Sequence, residues 1–146
     1  MLNRDQILEK SRGNIHCSQI VLGELAEELG YDKEELYRMA CAFGGGMGLG
    51  DTCGCVTGAL MAIGMAFGNS EPGNVEQDQL CREKASRFQA EFTRLRKSTI
   101  CRELLDYDFR DPEQRREARE NGAIAQLCPD LMMDAIRIAA EIIREA

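Results

Sequence analysis

The sequence predicts an all-α fold: a compact, single-domain bundle of about six to eight helices with short loops, covering residues 1–146. Three observations predict it. The chain has no tryptophan, and aromatic residues make up only 5% of it, so the core falls to Leu, Ile, Met and Ala, which favour helices. Apolar residues recur at helical spacing from end to end. No segment alternates as a strand does, and there is no internal repeat or low-complexity tract.

Taken in order, Asn3 caps a short opening helix. Asn14 is the expected N-cap of the second helix, which carries Ile20, Val21, Leu25 and Leu29 and closes at Gly30. Asp32 with Glu35 reads as a capping box, with Tyr31 placed for a hydrophobic staple. That third helix runs to about Ala42 and meets the loop "FGGGMGLG". Asp51 or Thr52 is expected to cap the fourth helix, which stops at Gly68. It is apolar nearly all round, as a central helix should be, and Gly54 and Gly58 share one face open to a close neighbour. After the turn Asn69–Gly73, Asn74 with Gln77 opens a long helix striped by Cys81, Ala85, Phe88, Phe92 and Leu95. Ser98 is the expected cap of a short helix over Thr99–Leu105. Asp111-Pro112 starts a charged helix that ends near Asn121-Gly122. The last helix is expected to begin at Cys128-Pro129 and to turn Met132, Ala135, Ile136, Ala139, Ile142 and Ile143 inward.

Composition narrows the function. The net charge is -7, and the basic residues are interleaved with acids as on solvated helix faces, so nucleic acid is not an expected partner. The most apolar run, Val56–Phe67, is too short for a membrane span, which needs about 20 residues. "MLNRDQILEK" lacks the apolar core of a signal peptide, so a cytoplasmic location is expected.

Seven cysteines, Cys17, Cys41, Cys53, Cys55, Cys81, Cys101 and Cys128, dominate the chemistry. The number is odd and the spacing wide, unlike a secreted disulfide scaffold. Four of them, Cys17, Cys53, Cys101 and Cys128, fall at expected helix N-termini, on four different helices. Such an end carries partial positive charge and bare N–H groups, which stabilise a thiolate. If the four ends converge, they form a tetrathiolate site suited to an iron–sulfur cluster or to zinc. There is no C-x-x-C, so the fold itself must assemble any such site.

Four pieces of the chain resemble a family of redox-active proteins named for a C…GCAxxG…C…C pattern. They are "HCSQIVLGELAEELG", "FGGGMGLGDTCGCVTGALMAIG", "CRELLDYD" and "CPDLMMDAIRIAAEII". The resemblance maps the family's four hallmark cysteines onto Cys17, Cys53, Cys101 and Cys128, and it implies a redox role with an iron–sulfur centre as cargo. Cys55 stands where relatives carry Ala in C-G-A-x-x-G, and is read as a small core filler. Cys41 and Cys81 are read as packing residues. His16, the only histidine, abuts Cys17 and is read as a first-turn surface residue. The glycine loop reads equally as a nest of N–H groups or as a tight turn, and lacks the Lys-Ser/Thr of a phosphate loop.

The leading expectation is therefore an electron carrier in which Cys17, Cys53, Cys101 and Cys128 ligate an iron–sulfur cluster and serve a redox partner protein. The alternatives are a metal-free thiol/disulfide protein, and a non-catalytic helical module with structural zinc or no metal. A bundle this small is also compatible with a homodimer.

Overall fold

Asn3 accepts a hydrogen bond from the Gln6 N–H while Gln6 Oε1 accepts from the Asn3 N–H, both at 2.9 Å. This capping box starts α1, Arg4–Arg12, in the computed structural model, which describes all residues 1–146. Seven more helices follow: α2 Cys17–Glu28, α3 Lys33–Ala40, α4 Gly54–Phe67, α5 Val75–Arg96, α6 Cys101–Leu105, α7 Pro112–Glu120 and α8 Ala123–Ile143. There are no strands. The only extended pairing is one antiparallel bridge between Thr52 and Ile100. The all-α expectation holds, and no helix is long and apolar enough to cross a membrane.

α4 is the central helix, packed against α2, α5 and α8. The core around it draws Ile20 and Leu25 from α2, Ile63 from α4, Phe88 and Phe92 from α5, and Ile136 from α8. On α5 the expected stripe narrows: Phe88 and Phe92 are fully buried, whereas Leu95 is exposed at the helix end.

Several helix starts differ from expectation, some for local reasons and some for tertiary ones. Asn14 takes the left-handed conformation (φ 65°), so it ends the α1 turn and His16 becomes the N-cap of α2. Asp32 caps α3 through the Glu34 N–H without a reciprocal bond from Glu35, and Tyr31 is exposed and staples nothing. Neither Asp51 nor Thr52 caps α4; Cys53 itself occupies that position. Ser98 accepts from the Ile100 N–H, so Ile100 takes the N-cap of α6 and the helix begins at Cys101. α8 starts at Ala123, straight after left-handed Gly122, and Pro129 lies inside it. Ile124 and Leu127 drive that earlier start by packing on a satellite core of Cys101, Leu105, Phe109 and Ala118.

The chain end is pinned by Glu145, which accepts from Lys84 at 2.8 Å and from Arg87. The Arg87 hydrogen bond, then that of Lys84, holds the Glu145 carboxyl down at about 2. A depressed acid stabilises the fold above its unfolded value and loses that contribution as pH falls through its folded value. Glu145→Gln should therefore flatten the acid limb of a Tm-versus-pH curve between about pH 4.5 and 2. An unchanged limb by circular dichroism would show that the pair contributes nothing.

Candidate cysteine site

Cys17 is the first residue of α2. Its neighbours fix that turn: buried Ser18 donates to the Ala40 carbonyl at 2.7 Å, and Gln19 donates to the Tyr37 carbonyl at 2.8 Å. The turn then rests directly on α4. A Cβ on Gly54 would lie 2.4 Å from the Cys17 Sγ, and one on Gly58 would lie 2.7 Å from the Ser18 carbonyl oxygen. No real side chain fits at such distances, so "CGCVTG" is a helix-docking surface as well as a source of thiols. The close approach expected at Gly54 and Gly58 is present, and the neighbour is the cysteine-bearing turn of α2.

Cys53 and Cys101 are joined by backbone. The Cys53 N–H donates to the Thr99 carbonyl at 2.8 Å, and the Cys101 N–H donates to the Asp51 carbonyl at 2.6 Å. Arg102 reinforces the link by donating to Asp51 Oδ1 at 2.6 Å and to the Gly50 carbonyl at 3.2 Å. This backbone clip was not legible in the sequence, because neither segment alternates.

The glycine loop lies beside the same site. Gly45, Gly46, Met47, Gly48 and Gly50 all have positive φ. Gly46 is the tightest: a Cβ there would meet Asp51 N at 2.4 Å and Cys101 Cβ at 2.9 Å. The Gly45 N–H helps to lower the Cys17 thiol, one amide rather than the succession that makes a nest.

Cys128 corrects the helix-end expectation. It sits in the sixth position of α8 rather than at its start, so no N-terminal dipole favours its thiolate. Burial pushes its thiol well up, and the charges of Cys17, Cys53 and Cys101 push it further. Cys101 does begin a helix, but burial outweighs five residues of dipole and carries its thiol up to about 12. The Cys17 thiol is lowered, but its largest cause is a neighbouring thiol rather than the helix end. The neighbouring Cys55 thiol, then the N–H groups of Gly45, Ser18 and Cys17 itself, hold it down at about 7 against burial.

These elements enclose one cavity of about 640 Å³. Cys17, Cys53, Cys101 and Cys128 all line it, together with Cys55, Cys41 and His16. The convergence the sequence could only pose as a condition is thus met at the level of a shared cavity. All seven cysteines are free thiols. No three His, Cys, Asp or Glu side chains stand close enough to grip a single metal ion.

The chain matches, over residues 15–142, the family described as "Putative redox-active protein (C_GCAxxG_C_C)". The chain belongs to this family. That match spans every cavity cysteine and both docking glycines. No curated protein and no solved structure matches the chain.

Within the family pattern, Cys55 departs from the filler reading in one respect. It is buried like a filler, yet its thiol faces both Cys17 and Cys53, and those contacts push its own thiol well up. Cys41 is exposed on the cavity wall rather than packed, because the helix around it tightens into a 3₁₀ turn, Cys41–Phe43. Cys81 flanks the core, away from the cavity, as expected.

Proposed function

We propose that this redox-active protein is an electron carrier in which Cys17, Cys53, Cys101 and Cys128 hold an iron–sulfur cluster. The observation that carries the reading is the delivery of these four thiols, from four separate helices, to one cavity. The donor set fits the group: four cysteines are its usual ligands, and no carboxylate lines the cavity to compete. A lone zinc draws its sulfurs to about 2.3 Å, and no three side chains stand ready for that. A polynuclear cluster spreads its ligands wider. When bound, the cluster supplies a one-electron couple. The chain's part is to exclude water by burying Cys53 and Cys101 and to direct the Gly45 N–H at Cys17, both of which tune a cluster's potential. Anaerobic reconstitution with iron and sulfide followed by potentiometric titration tests this. A reversible one-electron couple with visible absorbance supports it, and reconstituted protein without any such couple refutes it.

The contact of Cys55 with Cys17 favours a second reading, metal-free thiol/disulfide exchange. There, Cys17 and Cys55 would join as a disulfide while an azo oxidant such as diamide takes up two electrons and two protons. This reading expects diamide to remove two thiols per chain from metal-free protein, and Cys55→Ala to abolish that loss. Retention of all seven thiols in the wild type contradicts it.

A further inference from the structure

Ten arginines of this chain pair with a carboxylate. Four do not: Arg12, Arg38, Arg115 and Arg119. Three of those four, Arg12, Arg115 and Arg119, line the cysteine cavity. No Asp or Glu lines it, although the chain holds 25 acidic residues and a net charge of -7. Lys10 and Lys97 also lack a carboxylate partner, so three of the chain's six unpaired cations line this one cavity.

The arrangement is also positioned. Arg115 and Arg119 are four residues apart on α7 and share a face. Half-buried Arg115 is held over the Phe109 ring, with its guanidinium 5.7 Å from the ring centre, and donates to the Gly48 carbonyl. Arg12 and Arg119 are exposed, whereas Cys53, Cys55 and Cys101 are buried, so the arginines form the mouth and the thiols the floor. Guanidiniums gathered without counter-charge repel one another, and a bidentate anion relieves that repulsion.

We propose that the mouth of this cavity is a binding site for a small polyanion carrying phosphate or carboxylate groups, held by Arg115 and Arg119 with Arg12. It goes beyond the redox reading and does not depend on which redox chemistry the thiols perform. Such a site would seat an anionic small molecule above the cysteines, within reach of whatever electrons they carry.

Calorimetric titration of the full chain with pyrophosphate, and separately with citrate, tests it. The expected result is saturable one-to-one binding of at least one probe, weakened by added salt and about tenfold or more in Arg12→Gln/Arg119→Gln. Both residues are exposed and unpaired, so that variant should keep the wild-type Tm. Tighter pyrophosphate binding assigns the site to phosphoryl groups, and tighter citrate binding to carboxylates. Absence of saturable binding for both, or an equal loss in the α5 control Arg82→Gln, overturns the proposal. Binding by protein that takes up no iron keeps the anion site and removes the cluster; iron-loaded protein that binds neither probe does the reverse.

Discussion

Gly54→Ala will lower the Tm and disorganise the cysteine site in the same step. The added Cβ would stand 2.4 Å from the Cys17 Sγ and 3.0 Å from the Ser18 N, so α2 must move off α4. Overpacking of this kind costs about 1–3 kcal/mol. In a chain of this length that is a fall of about 2–4 °C in Tm for each kcal/mol. Gly58→Ala strikes the next turn of the same contact, against the Ser18 carbonyl at 2.7 Å, and should behave alike. Gly64→Ala is the control. It is on the same helix with nothing within 4 Å of its Cβ, and Ala there should stabilise by about 0.5–1 kcal/mol. Thermal melts of the three variants decide the matter. A Gly54→Ala variant that melts no lower than wild type, alongside the stabilised Gly64→Ala control, would mean that α2 does not dock where the structure puts it.

Cys101→Ser will abolish cluster uptake, while Cys81→Ser will leave it close to wild type. Cys101 is buried on the cavity floor and fastened to the Cys53 segment by the Asp51 and Thr99 carbonyls. Cys81 lies on α5, beside the core and away from the cavity. A serine hydroxyl is a poor substitute for a thiolate ligand to iron, so the first variant should lose most bound iron and labile sulfide. Both variants should keep similar far-ultraviolet spectra. Equal loss from the two would mean that iron uptake follows general folding rather than these ligands.

The helices were legible because their signals are local. Asn3, Asn74 and Asp111 announce their starts by side-chain caps, and each accepts the expected backbone hydrogen bond. Two of the misread starts, those of α8 and α4, have a tertiary cause that overrides the cap. Cys128-Pro129 has the look of a helix beginning, yet Ile124 and Leu127 gain burial by extending α8 back to Gly122. Likewise Thr52 is taken from α4 by its bridge to Ile100, a pairing between segments far apart in the chain.

The sequence pointed to cysteines that prove to share a cavity, but told less of their chemistry. Cys17, Cys53, Cys101 and Cys128 do share a cavity, and Gly54 and Gly58 do admit a close neighbour. A common thiol pKa was not a sound inference, because burial depends on residues that the helix-end argument never considers. The role of Cys55 beside Cys17 was equally hidden, since it depends on how α2 crosses α4. The arginines of the mouth left no signal at all: Arg115 and Arg119 read as part of a solvated charged helix, and only the fold sets them over the thiols.

We propose that four dispersed cysteines form one metal–sulfur redox centre. Iron and acid-labile sulfide analysis of protein purified without oxygen tests it most directly. The expected result is brown protein with iron and sulfide in comparable amounts, held in solution and lost on acidification. Colourless protein that contains neither, and takes up neither on anaerobic reconstitution, would contradict it.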